Sequence, residues 1–533
     1  MDFTQDLTQM DASALRDFAA AMLAERHQLL TQVAQKNQLM AVIAEKDRTI
    51  TAKQLKIDQL TYEMATLKRW RFAPRSESHD NPQRSLLEDV LDEDLAAISV
   101  ELEALREPAP TVQAPQQQPK RAALPAHLPR REVRHEPASR QCDCGCTLER
   151  IGEDVSEKLD YAPGVFTVER HIRGKWACRQ CERLIQAPVP PQVIDKGIPT
   201  AGLLAQVLVA KYHDHLPLYR QESIFERAGC AIARSTLAQW VGACGVQLAP
   251  LVAALRHQIL ARPILHADET PVPMLKPGHG RTHKAYLWSY GTTAFDDLPA
   301  VVYDFCEGRS GDHAKAFLGD YTGTLVCDDY RGYKKLFNQD LIEAGCMAHA
   351  RRKFHDLYQN HRSALAEEAL ELFKALYRIE REAQEQKLDA QARKQLRQEK
   401  SRPAAQTLHA WLTTHRQKVP DGSAPAKAMD YSLKRWDALL RYLQDGRVPI
   451  DNNHLENRIR PVAIGRANWL FAGSLRAGQR AAHIMSLIQS AKLNELDPYA
   501  YLKDVLTRLP TQPASALEEL LPHRWKPWPT TQA

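Results

Sequence analysis

Counting by sevens from Leu15 reaches Met22, Leu29, Lys36, Ile43, Ile50, Ile57 and Met64, and the position three residues further on carries Phe18, Leu39, Leu60 and Leu67. Lys36, Glu25 and Lys53 interrupt this seam, and no Pro or Gly falls between residues 15 and 72. The pattern predicts a long helix over residues 1–72 whose apolar stripe needs a partner, hence a coiled coil and a homodimer or higher homo-oligomer, with a helix folded back on its own domain as the alternative. After the basic exit LKRWRFAPRSE comes an acidic helical piece, 86–105, with Glu88, Asp89, Asp92, Glu93 and Asp94. A Pro- and Gln-rich run then completes a linker over 73–135, in which Lys120, Arg121, Arg130 and Arg131 are read as solvated.

Alternation in EKLDY and FTVERHIRGKWAC predicts strands of a small ribbon over 136–190. Helical periodicity over 218–228, a break at Gly229 and a second helix opening at Arg234-Ser235-Thr236 with a capping hydroxyl give helix-turn-helix spacing within 198–258. From Pro263 the period changes. PILHADETPVPML, KAYLWSYGTT and AVVYDFCEG read as strands, HAKAFLGDY as a helix and GTLVCDDYRGY as a fourth strand, all within 259–355. An Ala-, Leu-, Glu-, Lys- and Arg-rich stretch over 356–446, interrupted by Pro403, Pro420 and Pro425, reads as a helical insertion. The second part of that domain spans 447–508, where GQRAAHIMSLIQSAKLNELDPYAYLKDVLTRL continues as amphipathic helix, and 509–533 reads as a Pro-rich tail. The expected class is a multidomain protein, mixed α and α/β.

A chain of 533 residues has room for several such units, and a formal charge of +6 permits a polyanionic partner without requiring one. The N-terminus lacks a basic then apolar leader, and no run of about eighteen apolar residues suggests a membrane span. Ten cysteines change the picture more. Five lie between Cys142 and Cys181, which favours a metal site over a disulfide framework, while Cys230, Cys244, Cys306, Cys327 and Cys346 read as core residues.

Cys178 and Cys181 form a C-x-x-C pair, and Cys144-Gly145 fits a knuckle whose amides turn toward sulfur. The expected ligands of one structural zinc are Cys142, Cys144, Cys178 and Cys181, with Cys146 an alternative for one of the first pair. Arg234, Ser235, Thr236 and Gln239 suit a helix entering a DNA major groove, although any helical hairpin shares the pattern. Acids close the first strand (Asp268, Glu269) and the fourth (Asp328, Asp329), and only one of each pair can face inward. Paired Mg²⁺ ions need carboxylates from neighbouring strands and a third from a crossing helix, which Glu456 in DNNHLENRIR supplies. Arg458 and Arg460 then stand ready for phosphates, and Asn452 and Asn453 for capping the helix and holding sugar or backbone.

These strings, in order, resemble the transposases of the bacterial insertion-sequence family numbered sixty-six: CxCG…CxxC, ADET, CDDYRGY, CMAHARRKF, DNNHLENRIRPVAIGRANWLFAGS and LLPHRW. The likeness spans almost the whole chain. It implies an RNase H-like fold carrying a DDE triad, with Asp268 of ADET, Asp328 of CDDY and Glu456 of HLENR in those roles. The position after the second aspartate, often glycine in that family, is Asp329 here. The resemblance further implies two catalytic Mg²⁺ ions and cleavage at terminal inverted repeats. Joining of the 3′-hydroxyl to target DNA, help from small accessory proteins and action in the bacterial cytoplasm at the nucleoid are implied as well. A nuclease or resolvase that cuts without joining, and an inactive zinc-ribbon and helix-turn-helix DNA-binding protein, are the rival readings.

Overall fold

The computed structural model describes residues 12–72, 82–105, 124–162, 164–195, 197–275, 282–337 and 340–528. The Pro-rich run with Lys120 and Arg121 lies outside them. The chain forms two compact units, residues 1–74 with 101–112, and residues 75–100 with 113–533.

In the first unit α1 (Ala12–Phe72) is one uninterrupted helix of 61 residues, as the heptads require. Leu29, Leu39, Ile43 and Ile50 of its seam are exposed, while Leu60 and Leu67 are buried.

The second unit opens with the greater part of α2 (Pro82–Leu105), whose Asp89, Glu93 and Asp94 are buried. Four strands then build the ribbon: β1 (Arg130–His135), β2 (Glu149–Ala162), β3 (Val165–Ala177) and β4 (Leu184–Gln186). β2 and β3 form an antiparallel hairpin, and β1 joins β3 in parallel, so the linker expected to run to residue 135 ends before Arg130. Arg130 is not a solvated linker cation. Its guanidinium donates to Glu157 and to the carbonyls of Leu124, Pro125, Ala126 and Leu128, and Arg131 pairs with Glu169.

Leu159, Tyr161, Phe166 and Val168 at the far end of the hairpin enter the main core. There they meet α3 (Ala201–Tyr212), α4 (Leu218–Arg227) and the 27-residue α5 (Arg234–Leu260). Thr200 caps α3 from its side chain and donates to Asp160 of β2, tying ribbon to helix. The capping hydroxyl expected on α5 is not used. Its cap is Ala233, and the carboxylate of Glu222 accepts from the Arg234 amide instead. Among the described residues α5 alone is long and apolar enough to cross a membrane, and most of it is buried in this core.

The central sheet contains β5 (Ile264–Leu275), β6 (Thr282–Thr292), β7 (Val301–Cys306), β8 (Gly323–Cys327) and β9 (Leu341–Gly345) in the order β7-β6-β5-β8-β9. β5, β6 and β7 are antiparallel, while β8 and β9 run parallel to β5. The short helices α6 (Gly311–Leu318) and α7 (Arg331–Lys334) connect β7 to β8 and β8 to β9. β9 has no counterpart in the sequence reading, because five residues reading LIEAG lack an alternating pattern.

Between β9 and Glu456 lie α8 (Met347–His361), α9 (Ala364–Glu385), α10 (Ala390–Leu396), α11 (Arg402–Arg416), α12 (Ala424–Lys434) and α13 (Trp436–Leu439). Phe354, Phe373, Leu376, Leu408 and Met429 give these helices a core of their own, which Ile264, Val326 and Ala344 of the sheet join.

Three helices follow: α14 (Asn453–Trp469), α15 (Leu475–Leu493) and α16 (Pro498–Arg508). The expected continuous amphipathic helix breaks at Glu495, whose φ is 59°, and Asp497 recaps the chain into α16. α15 is buried rather than amphipathic because it covers the open edge of β7. Ser486 and Ser490, one turn apart, accept from the Tyr303 and Val301 amides at 2.8 and 3.0 Å, which satisfies strand groups that have no neighbouring strand. The tail also packs: Leu520 and Leu521 are fully buried, and Trp525 donates to Asp504.

Candidate functional site

At the outer end of the ribbon two tight turns present cysteines to each other. Gly145 takes φ 87°, a conformation costly for any residue with a Cβ, and the Cys146 amide then points at Cys144 sulfur. The amides of Cys181 and Gln180 likewise hold the Cys178 thiol down to about 6. Cys142 and Cys181 sulfurs lie 3.2 Å apart and Cys144 and Cys178 3.6 Å apart, and the four ligand atoms all fall within 4.8 Å of one another. That is the donor set of a structural zinc, with thiolates compressed around a common centre. Cys146 lies outside that group of four: its sulfur bonds the Gln180 side chain and rests beside the Cys144 and Cys178 thiols at the edge of the cluster.

The helix pair α4–α5 has the expected turn at Gly229, but the start of α5 is not a free face. Arg234 is paired at 2.6 Å with Asp89 of α2, Ser235 and Thr236 are half-buried, and of the four expected DNA contacts Gln239 alone is exposed. Burial pushes the Asp89 carboxyl up to about 7 despite the opposing pull of Arg234 and Lys211. Further along α2, Glu93 meets Lys211 and Arg480, and Asp94 meets Arg480, in a buried network.

The acids of the sheet converge. Asp268 lies inside β5 rather than at its end, because β5 continues along β6 to Leu275 while its pairing with β8 stops at His266↔Val326. Two residues beyond that pair come Asp268, still within β5, and Asp328, just past the end of β8, near enough for its charge to act on Asp268. Burial, then Glu269, Asp328 and Glu456, raise the Asp268 carboxyl to about 8. Glu269 points elsewhere, sunk among Arg309 and the Tyr333 hydroxyl. Asp329 is exposed and held by Lys334 and Arg435, at 3.1 and 3.3 Å, so Asp328 is the member of its pair that faces Asp268.

Glu456 comes from the first turn of α14, and its partners are not the arginines beside it in sequence. Arg352 donates to Oε2 at 3.2 Å and His349 Nδ1 lies 3.6 Å from Oε1, both from α8. Arg458, two residues on, is turned about 200° away, and its carbonyl accepts from Tyr303. Arg460, one turn on, shares the Glu456 face and is exposed. Arg466 is spent on the Pro271 carbonyl. The asparagines also differ from expectation. Asn452 makes no side-chain cap; it is buried, bonding His266 Nδ1 at 2.6 Å and the Ala267 carbonyl at 3.0 Å, which ties α14 to β5 one residue before Asp268. Asn453 bonds Asp451 through its amide and its side chain.

His349, Arg352 and His266 are the residues that sequence reasoning did not assign here, and Asn452 has a role different from the expected one. The runs CMAHARRKF and DNNHLENR contain three of them, but nothing in either string says that they meet.

The family model described as "Transposase IS66 family" matches residues 196–480, and "IS66 C-terminal element" matches 486–523. "Zinc-finger binding domain of transposase IS66" matches 139–182, the cysteine-bearing part of the ribbon, and "Transposase C of IS166 homeodomain" matches 59–133. Among similar proteins, the uncharacterized protein y4qI of Sinorhizobium fredii is 38% identical over 89% of this chain and 90% of its own length. Two others from that organism, y4jD and y4hP, are 40% and 34% identical over 76% and 90% of the chain, covering 81% and 89% of their own. A profile spanning more than half the sequence, with its zinc-finger and C-terminal companions in register, makes this chain a member of the IS66 family of transposases.

Proposed function

We propose that the protein is a DDE transposase that cleaves phosphodiester bonds at the terminal inverted repeats of its element and joins the freed 3′-hydroxyl to target DNA. The observation that carries this is the convergence of Asp268, Asp328 and Glu456, from two parallel strands and a crossing helix, on one another. The sheet order, three antiparallel strands followed by two parallel ones, supports an RNase H-like domain. A carboxyl pushed up to about 8 by burial first, and then by the charges of Glu269, Asp328 and Glu456, sits in a cluster short of positive charge, which fits divalent cations. Mg²⁺ bound by Asp268, Asp328 and Glu456 would stabilise the attacking and leaving oxygens of an in-line displacement.

The remaining work falls to the chain itself. Asn452 and His266 lock α14 against β5, and Arg352 fixes the rotamer of Glu456. Arg460 extends from the same helix face toward a phosphate backbone. In the first displacement water attacks phosphorus and the 3′-oxygen leaves, taking a proton; in the second that hydroxyl attacks a target phosphodiester, giving its proton up and expelling the target's 3′-oxygen. α4 and α5 contact the element end through Gln239, with Ser235, Thr236 and Arg234 joining once Asp89 yields Arg234. α1 pairs two protomers so that two ends are held together.

The test is purified protein, a labelled element end and a plasmid target, with and without Mg²⁺. Joined product that depends on Mg²⁺ is expected. Cleavage without joining would make the protein a nuclease, and binding without cleavage an inactive DNA-binding scaffold.

A further inference from the structure

Glu456 has a second side. Across from the strand acids, Cys346 stands at the N-cap of α8 and His349 in its first turn, three residues on, so both project toward the same place. Cys346 sulfur, a His349 ring nitrogen and a Glu456 carboxylate oxygen all lie within 4.8 Å of one another. His349 Nδ1 and Glu456 Oε1 face each other at 3.6 Å, beyond hydrogen-bonding distance, and both are buried with no hydrogen-bond partner. A buried polar atom left without a partner costs about 1 to 3 kcal/mol, and here two of them meet.

A metal ion resolves that arrangement. Zinc with bonds of about 2.0 to 2.1 Å to nitrogen and oxygen sets such ligand atoms roughly 3.3 to 3.5 Å apart, close to the separation observed. The Asn452 amide already donates to Cys346 sulfur at 3.2 Å, the kind of contact that steadies a metal-bound thiolate. Thiolate with imidazole selects zinc-like ions over Mg²⁺, which prefers oxygen.

We propose that Cys346, His349 and Glu456 form a second site for a zinc-class divalent cation, separate from the ribbon, that draws Glu456 away from the strand acids. Binding replaces the Cys346 proton, which leaves to solvent, and a fourth position stays open to water. The ion then acts as a brake: while Glu456 serves zinc it cannot complete the acid cluster. The braking half rests on the catalytic reading of Glu456 given above; the binding half does not.

Full-length protein with its ribbon zinc in place is titrated with Co²⁺ near neutral pH and followed by absorption. One added cobalt per chain is expected, with a thiolate-to-cobalt charge-transfer band that Zn²⁺ abolishes by displacement. Cys346→Ser should lose the band and the extra ion while metal analysis shows the ribbon zinc unchanged, and His349→Gln should weaken the added ion by at least about tenfold. In cleavage assays Zn²⁺ should inhibit the unmodified protein, whereas Cys346→Ser should cleave with Mg²⁺ and tolerate at least about tenfold more zinc. No added cobalt, or a band that persists in Cys346→Ser, overturns the site. Should Cys346→Ser fail to fold, His349→Gln decides, and unweakened binding there is equally fatal. Cobalt bound through Cys346 in a protein with no Mg²⁺-dependent cleavage would keep the site and remove the catalytic reading instead.

Discussion

Asn452 is fully buried and joins three segments: its amide meets Cys346, its side chain meets His266 and the Ala267 carbonyl, and its own carbonyl starts α14. Glu456 therefore inherits its position from β5 and α8 rather than from its own helix alone. Glu456→Gln keeps size and hydrogen bonding to Arg352 but removes the charge a cation needs. The variant should fold and bind element ends normally while cleavage and strand transfer fall by more than the roughly 10- to 100-fold typical of losing an outer-shell partner. Asp268→Asn and Asp328→Asn should behave alike, and a double variant should be scarcely worse than either single one, because ligands of one ion act as a unit. Asp329→Asn should retain activity, since Asp329 is occupied by Lys334 and Arg435. Gel-shift and cleavage assays on the same preparations separate these outcomes; near-normal cleavage by Glu456→Gln would remove it from the reaction. The meeting of the three acids is legible in the sequence because two acidic pairs lie at the first and fourth predicted strands and a third acid on a basic, Asn-rich helix. His349 and Arg352 are not, because the partner that gives them meaning lies 104 positions from Arg352, beyond any local pattern.

α2 shows how an acidic helix becomes structural. The sequence shows it only as an acidic helical piece beside a linker, yet Asp89, Glu93 and Asp94 are buried against Arg234, Lys211 and Arg480. Periodicity does not reveal this, since the arginine that matters most, Arg480, is on α15. The Asp89 carboxyl is held above its ordinary 3.8 at about 7, by burial first. The folded form thus takes up its proton more readily than the unfolded chain. Its contribution to stability is complete below pH 3.8 and is lost as pH rises to about 7, by up to about 4 kcal/mol. Asp89→Asn, which cannot ionise, should flatten that loss; denaturant midpoints of both proteins across this range check it, and parallel curves would refute it. The insertion carries a second buried charge. Arg397 is fully buried, donating to both oxygens of Glu380 at 2.8 and 2.7 Å and to the carbonyls of Tyr442, Asp445 and Val448. Arg397→Ala strands the Glu380 carboxylate and those carbonyls and should cost about 3 to 5 kcal/mol. A denaturation midpoint that barely moved would show the insertion stands without it. The helical character of this segment is plain from composition, but a buried arginine at its centre is not, because Lys- and Arg-rich helices ordinarily turn those residues outward.

Leu29, Leu39, Ile43 and Ile50 are exposed on α1 in a single chain, although their spacing is that of a seam. Covering one such side chain is worth about 1.5 to 3 kcal/mol, so the four together on each of two chains outweigh much of the cost of association, estimated at about 4 to 15 kcal/mol. The heptads make the long helix legible in the sequence, and we propose that the stripe it leaves exposed is buried by a second copy of the chain. In the proposed reaction two element ends meet in one complex, and a paired α1 would hold two end-binding units together. Deleting residues 1–70 should convert the protein from dimer to monomer by light scattering, leave binding to a single labelled end within about twofold, since none of the groups assigned to DNA is removed, and abolish the slow-migrating complex that contains two ends. Replacing Ile43 and Ile50 with Lys should reproduce the effect in the full-length chain by placing like charges across the seam. If either variant still brought two ends together, pairing would have to reside in the second unit and α1 would serve some other contact.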